Sequence, residues 1–263
     1  VRVVFEVAKS LKMPAGHYAP GKIHSRVDMG SDGWLYFATH RGSKRAAVDA
    51  NHYKGDWIFR CNPKTGKSEV VARGPVPKHS IPTSVLDPKR MIFYGGTAAG
   101  PDAKSQSIQF LAYDIKKKKV LYSGDDGPAR YLIFARSTGR VYYVPGNVEG
   151  DLMRFDPEKE LKPVKGGQRM AIRAATEETK DGLFYSVGLG QRSSDADVWV
   201  LNTKTEKTKK IGTVSVGSQA YVASVDIDPT GRYLYYVPGA HGSGPRDGSP
   251  VVQYEIKTGK KKV

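Results

Sequence analysis

Short segments of alternating apolar and polar residues recur along this chain, and each ends in an acidic or amide residue followed by a turn. Successive segments lie about 42 to 53 residues apart, a period typical of repeats built from a few short strands. Such a pattern predicts a repeat protein made of similar β units. The five segments span residues 56–62, 109–114, 151–156, 197–202 and 251–255.

The fifth segment shows how each unit divides into four strands. Residues 221–228 form a first strand that ends in a tight turn at 228–231, and residues 233–237 form a second. A Gly-rich connection leads to a third strand at 251–256, and a turn at 257–259 precedes the fourth. Gly, Asn and Asp supply the left-handed backbone that such short turns need.

Strands at this spacing, with no helical period of comparable strength, predict an all-β fold, namely a β-propeller of four-stranded blades. Five blades are recognisable, and we favour a seven-bladed parent over closure of a five-bladed ring. Residues 1–8 are expected to form an outer strand of a preceding or the closing blade. A single domain spans 1–263, with blades at about 22–72, 80–123, 130–165, 171–214 and 220–263.

The composition agrees with one large all-β domain. The 263 residues are 39% hydrophobic, and 29 Gly, 16 Pro and 15 Tyr favour strands and turns over helices. No stretch approaches the roughly 18 apolar residues of a membrane span, so no transmembrane segment is predicted. Cys61 is the only cysteine and is expected to be a small buried apolar residue. The chain begins at Val1, which we interpret as a processed product without its targeting segment, so a periplasmic or secreted location is expected.

The formal net charge of +16 favours acidic partners, such as an anionic small molecule, a uronate polysaccharide or an acidic protein. Charge runs in turns are usually solvated, which weakens this inference. Specific nucleic-acid binding is not predicted, because no RNP-like motif, zinc finger or recognition helix accompanies the lysines. The lysines cluster at 64–67, 116–119, 204–210 and 257–262.

All six histidines fall in connections that a propeller places on one face, either before the first strand of a unit or between its second and third strands. Long connections on a rigid scaffold commonly carry binding and catalytic residues. His17, His52 and His79 are more readily interpreted as loop residues. Since His and Tyr can transfer protons, the candidate catalytic residues are His24, His40, His241 and Tyr131.

Arginines on the same face are candidates for binding an anionic substrate, because a guanidinium pairs with a carboxylate. For Arg130 and Arg173 the alternative is a structural ion pair with Asp126, Glu177 or Glu178. The candidate substrate-binding residues are Arg26, Arg41, Arg130, Arg173 and Tyr221.

Cofactor motifs are not evident in the sequence. A divalent metal held by histidines from different units stays open, although no HExxH, CxxC or EF-hand spacing supports it. No G-x-S-x-G elbow indicates a serine nucleophile. Gly95-Gly96 lacks the strand-to-helix context of a phosphate-binding loop.

Three segments resemble bacterial β-propeller proteins of the planctomycete type, a family without a defined activity. These are Gly-Lys-Ile-His-Ser-Arg at 21–26 and the longer segments at 32–42 and 231–242. At the level of the fold, the chain is also similar to streptogramin-lyase-like and polysaccharide-lyase propellers. That similarity implies β-elimination by His, Tyr and Arg near a channel mouth, although no lyase motif allows residues to be transferred.

Two functions therefore stand as alternatives. The first is a lyase-like enzyme acting on an anionic carbohydrate, with His24 and His40 as acid–base candidates. The second is a non-catalytic binding or assembly propeller whose basic surface docks an acidic partner.

Overall fold

The computed structural model describes residues 7–188, 196–217, 221–239 and 250–263, and this part of the chain is built almost entirely of antiparallel β-sheet. Its five sheets follow one another along the sequence, with strands paired in chain order. This arrangement confirms the predicted all-β propeller of four-stranded blades. We number the sheets blades 1 to 5. The chain divides into two compact units, residues 1–134 and 135–263.

Blades 1 and 2 belong to the first unit. Two short 3-10 helices, Lys44–Ala46 and Asp49–Asn51, lie in the connection between the second and third strands of blade 1. Blade 1 consists of β1 (Lys22–Ile23), β2 (Asp28–Met29), β3 (Leu35–His40), β4 (Trp57–Cys61) and β5 (Ser68–Arg73), and blade 2 of β6 (His79–Asp87), β7 (Ile92–Ala99), β8 (Phe110–Asp114) and β9 (Lys119–Gly124).

Blades 4 and 5 belong to the second unit, and blade 3 begins at the boundary between the units. Blade 3 consists of β10 (Ile133–Ala135), β11 (Arg140–Tyr143), β12 (Glu149–Phe155) and β13 (Val164–Ala171), blade 4 of β14 (Ala174–Ala175), β15 (Leu183–Val187), β16 (Asp197–Asn202) and β17 (Lys207–Thr213), and blade 5 of β18 (Val222–Ile227), β19 (Tyr233–Pro238), β20 (Val252–Glu255) and β21 (Lys261–Lys262).

The core lies between the facing sheets of neighbouring blades. In the first unit, Tyr36 and Ile58 of blade 1 pack with Ile81, Phe93 and Leu111 of blade 2. Strand β8 is buried along its whole length, so it carries a continuous apolar run instead of a strict alternation. The second unit repeats this packing, with Val187, Val198, Val222, Leu234 and Tyr254 in one cluster between blades 4 and 5.

The first strand of blade 1 is split into two pieces. The Ser25 hydroxyl lies between β1 and β2, donates to the carbonyl oxygen of Ala38 (3.0 Å) and accepts from its N–H (2.8 Å). This side chain therefore takes the place of a strand pair in the ladder. Both pieces still pair with β3, so the blade retains its antiparallel order.

Most of the outer strand expected at 1–8 falls on residues outside the described part of the chain. The described part begins with a short helix, α1, which spans Val7–Leu11. Its Val7 and Leu11 are four residues apart, so they share one helix face. That face packs against Phe37, Trp57 and Phe59 of blade 1. In the described part of the chain, no helix is long and apolar enough to cross a membrane.

The turns between the third and fourth strands of blades 1, 2, 4 and 5 share one backbone feature. Their equivalent residues Gly66, Lys118, Glu206 and Gly259 all have φ between 52° and 74°, in the left-handed region. In blades 1 and 4 the turn is also closed by an asparagine: Asn62 Oδ1 accepts from Lys64 N (2.9 Å), and Asn202 Oδ1 from Lys204 N (3.0 Å). The same turn position thus carries glycine in blades 1 and 5, lysine in blade 2 and glutamate in blade 4.

A buried carboxylate ties together the connections of blade 1. Asp56 is fully buried and accepts hydrogen bonds from Thr39 Oγ1 (2.6 Å), Tyr18 Oη (3.0 Å) and Tyr53 Oη (3.0 Å). The Thr39 hydroxyl accepts in turn from the N–H of Trp57, the first residue of β4 (3.0 Å). Burial raises the pKa of Asp56, although the three hydroxyl donors favour its ionised form.

Replacing Asp56 by Asn should change the pH dependence of stability. Because the pKa of Asp56 is raised in the folded chain, its contribution is fully present below the ordinary value of 3.8 and is lost as the pH rises through the raised value. The unfolding free energy of the wild type should therefore fall relative to that of Asp56→Asn as the pH rises over that window. Urea unfolding across the pH range measures it, with the exposed Asp181→Asn as control. A difference that does not vary with pH would contradict the assignment.

Candidate functional site

His24 and His40 are brought together at one end of blade 1. Their ring centroids lie 5.6 Å apart, and the ring planes are inclined by 40°. His40 is the last residue of β3 and pairs in register with Lys22 of β1, while His24 directly follows β1. The two candidate catalytic histidines of the sequence motifs at 21–26 and 39–42 thus share one site, which we call the histidine pair.

Glycines allow the two motifs to approach so closely. A Cβ atom on Gly21 would stand 2.9 Å from the carbonyl oxygen of Arg41 and 2.9 Å from Gly42 Cα. Gly42 has φ +70°, a left-handed conformation that favours glycine. The Gly21 N–H also donates to the carbonyl oxygen of His40 (3.1 Å). The backbone therefore determines the separation of the histidine side chains.

The hydrogen bond of His24 determines where its proton lies. Its Nδ1 is 2.8 Å from the carbonyl oxygen of Pro82, which can only accept. Nδ1 therefore carries a hydrogen, and in the neutral ring Nε2 holds a lone pair. The ring is exposed. His24 can consequently act as a base through Nε2.

His40 has the opposite arrangement. Its Nδ1 accepts from the Gly42 N–H (3.0 Å), so the neutral ring carries its hydrogen on Nε2. Burial, followed by the positive charges of Arg41, Lys22 and then His24, lowers the pKa of His40 to about 4. At neutral pH this half-buried ring is uncharged and can donate a hydrogen bond from Nε2. The pair thus combines a base with a neutral donor.

Arg41 follows His40 in the chain and is fixed by hydrogen bonds to blade 2. It is buried, and its Nη1 donates to Ser80 Oγ (3.0 Å) and to the carbonyl oxygens of Ala98 (2.7 Å) and Ala99 (2.9 Å). The sequence predicted a substrate-binding role for Arg41. In the structure it links β3 to blade 2 and supplies a positive charge beside His40.

Lys22 is a residue that the sequence reasoning did not select. It is exposed and lies opposite His40 in the strand register, on the same side of the β1–β3 ladder. Its ammonium group is one of the charges that lower the pKa of His40. Its position two residues before His24 in the motif is the sequence signal that could have identified it.

The other predicted site residues are described by their own contacts and exposure. Arg26 Nε pairs with Asp28 Oδ1 at 2.8 Å. Arg173 Nε donates to Tyr221 Oη (3.1 Å), and its guanidinium lies 5.2 Å from the centre of that ring. Arg130 is exposed and Tyr131 half-buried, just before β10. His241 lies outside the described residues.

The remaining histidines have other surroundings. His79 is buried, with Nδ1 2.9 Å from Thr97 Oγ1 and Nε2 3.0 Å from the carbonyl oxygen of Ser105. His17 and His52 are exposed and stack on each other, with ring centroids 4.2 Å apart. His79 is therefore a buried histidine with hydrogen-bond partners at both ring nitrogens, and His17 and His52 are exposed loop residues.

Electrostatics at the histidine pair favour an anion. Lys22 and Arg41 both place positive charge near His40, which repels a metal cation and attracts a carboxylate. Among the described residues, no three or more His, Cys, Asp or Glu side chains are grouped so as to hold a metal ion.

Fold and site together define a β-propeller protein with an electropositive histidine pair on its first blade. No protein-family model matches the chain, and no curated protein matches it. Among solved structures, hydrazine synthase of Kuenenia stuttgartiensis is similar, with a TM-score of 0.66, 12% identity, and coverage of 95% of this chain and 68% of that one.

Two further structures with propellers are similar to this chain. Oligogalacturonate lyase in complex with manganese has a TM-score of 0.59 at 12% identity, over 97% of this chain and 68% of that one. A nidogen/laminin complex has a TM-score of 0.57 at 14% identity, over 92% and 78% of the two chains. Identities this low support the propeller fold and leave the activity open.

Removing the charge of Lys22 should shift the titration of His40. In the wild type, we expect His40 to remain neutral down to a pKa of about 4. The Lys22→Gln variant should raise that pKa, because one of the nearby positive charges is gone. NMR titration of the imidazole resonances measures the change, and the exposed Lys54→Gln serves as a control. Titration of wild-type His40 near the ordinary value of 6.5 would contradict the arrangement.

Proposed function

We propose that the chain is a lyase that cleaves an anionic carbohydrate of the uronate type by β-elimination at the histidine pair. The observation that carries the proposal is the complementary protonation of His24 and His40, one with a lone pair on Nε2 and the other with a hydrogen there. The neighbouring Lys22 supplies the positive charge that a substrate carboxylate needs.

The proposed reaction begins with proton abstraction next to the substrate carboxylate. His24 Nε2 takes the proton from the carbon that bears the carboxylate, and that electron pair forms a carbon–carbon double bond. The bond from the β carbon to the glycosidic oxygen breaks, and the leaving oxygen receives the proton from the His24 imidazolium. His40 Nε2–H and the Lys22 ammonium stabilise the negative charge that develops on the carboxylate. Atoms and protons balance without a cofactor in this scheme.

Substituting either histidine should lower turnover while leaving the fold intact. We expect His24→Ala to lower kcat by about a hundredfold or more, the usual contribution of a positioned acid–base group. His40→Ala should also lower kcat, because it removes the Nε2–H donor that stabilises the carboxylate charge. The ultraviolet absorbance of the unsaturated uronate product measures the rate on a panel of uronate oligosaccharides. The control is His52→Ala, since this histidine is equally exposed but lies in the His17–His52 stack.

Full turnover by both variants would rule out the lyase assignment, as would a wild-type protein that releases no unsaturated product from any substrate of the panel. Circular dichroism and thermal unfolding separate a catalytic effect from loss of the fold.

A second candidate function, non-catalytic docking of an acidic partner, is supported by one feature. The four consecutive lysines at 116–119 are all exposed, three in the turn after β8 and Lys119 at the start of β9, and only Lys117 has a carboxylate nearby among the described residues, Asp114 Oδ2 at 3.7 Å. Four adjacent ammonium groups with little burial form a local positive surface that suits a polyanionic segment.

Docking at these lysines should depend steeply on salt and not on the histidines. We expect polyglutamate to bind the wild type and His24→Ala equally, with affinity falling about tenfold or more between low ionic strength and about 0.5 M salt. A variant with all four lysines replaced by Gln should lose the binding. Fluorescence anisotropy of labelled polyglutamate measures it, and equal binding by the four-lysine variant would exclude this surface.

A further inference from the structure

A groove opens on blade 4 within the second unit. Its volume is about 410 Å³, which lies in the size range of small-molecule sites. Leu183 and Val200 of blade 4, Ile211 at its outer strand and Ile256 of blade 5 supply an apolar lining. Lys207 and Lys209 border the same groove. The combination of an apolar surface with two ammonium groups suits an amphipathic anion.

Lys207 and Lys209 are exposed, and neither pairs with a carboxylate of the described residues. In the register of blade 4, Lys209 lies opposite Val200, and Lys207 opposite Asn202. The nearest residue of opposite charge in the turn, Glu206, points away from them, because its carboxylate binds Arg154 Nη1 of blade 3 (2.6 Å). Two positive charges thus remain beside an apolar surface.

Blade 1 carries the same turn with its charges compensated. Lys67 occupies the position of Lys207, and Glu69 the position of Lys209, as counted from the capping residues Asn62 and Asn202. Glu69 binds both Lys67 Nζ (2.9 Å) and Arg60 Nε (2.8 Å). In blade 4 the corresponding carboxylate is replaced by Lys209.

On blade 3, the sheet face equivalent to the groove of blade 4 is covered by a carboxylate from blade 4. Tyr142 and Arg154 form a cross-strand pair, equivalent to Tyr185 and Val200 of blade 4. Glu206, in the left-handed position of the blade 4 turn, accepts from Tyr142 Oη (2.9 Å) and pairs with Arg154. In blades 1 and 3, therefore, a carboxylate lies beside the residue equivalent to Val200, namely Glu69 beside Arg60 and Glu206 beside Arg154. Blade 4 has no such carboxylate among the described residues.

The turn of blade 5 that follows Ile256 of the groove lining contains Gly259. It is the residue of blade 5 that corresponds to Glu206, with φ +70° against 56° for Glu206. The two turns read Lys-Thr-Glu-Lys and Lys-Thr-Gly-Lys. A Cβ atom on Gly259 would meet only the Tyr254 hydroxyl, at an ordinary 3.5 Å. The position thus has space for a side chain that the sequence does not supply.

We propose that this groove binds a small carboxylate with an apolar chain, which takes the place that Glu206 fills on blade 3. The apolar chain lies on Leu183, Val200 and Ile211, and the carboxylate lies between Lys207 and Lys209. This binding site is independent of the histidine pair, so it stands or falls separately from the proposed lyase activity.

Octanoate tests the site on the full chain by isothermal titration calorimetry. We expect octanoate to bind at least about tenfold more tightly than octanol, which has the same chain without the charge, and acetate to show no binding. Gly259→Glu should abolish octanoate binding, because it places an internal carboxylate over the groove. Gly66→Glu is the matched control, since it makes the same change in the Lys-Thr-Gly-Lys turn of blade 1.

Lys209→Glu provides a second variant in case Gly259→Glu does not fold. It restores the charge pattern of blade 1 and should lower octanoate affinity by at least about tenfold through loss of one ammonium group and pairing with Lys207. The proposal would be overturned by absence of octanoate binding, by equal affinity for octanol, or by unchanged binding in both groove variants. Tighter binding of a peptide that pairs glutamate with leucine would overturn the assignment to a small molecule.

Discussion

The Asp56 carboxylate, buried without a directly bonded cation, is the constraint on which blade 1 and its site depend. Three hydroxyl donors satisfy it, from Tyr18, Thr39 and Tyr53, and leaving such a group unsatisfied costs about 1–3 kcal/mol for each lost partner. Tyr18 and Tyr53 lie in two different connections and Thr39 lies in β3, so the carboxylate holds both loops against the sheet. Thr39 directly precedes His40, and the network thereby determines where the histidine pair stands.

The chemistry of the site follows from a backbone arrangement more than from unusual side chains. The close contact of two glycine-containing segments determines the distance between the histidine rings, and two different hydrogen-bond partners, a carbonyl oxygen and an N–H, give the rings opposite tautomers. Burial and the charges of Arg41 and Lys22 then keep His40 neutral. A base and a neutral donor thus arise from two chemically identical residues.

The blades share one turn but differ in the side chain that it presents to the neighbouring blade. In four blades, the turn between the third and fourth strands has a residue with left-handed backbone at the same position. The side chain at this position determines whether the facing sheet of the neighbouring blade is covered. Glutamate at 206 closes one face with ion pairs, whereas glycine at 259 leaves the next face open. The turn keeps its shape because its hydrogen bonds involve the backbone and, in blades 1 and 4, the side chains of Asn62 and Asn202.

The alternating segments and their period were sufficient to predict an all-β propeller of four-stranded blades, because side chains alternate across a strand and turn residues mark its ends. Local motifs likewise singled out His24 and His40. Tertiary structure alone decided that Arg41 is buried in hydrogen bonds, that Lys22 faces His40, and that α1 packs against Phe37, Trp57 and Phe59 of blade 1. Such features depend on contacts between residues distant in sequence, for which a local pattern carries no signal: the partners of Arg41 are about 40 to 60 residues away.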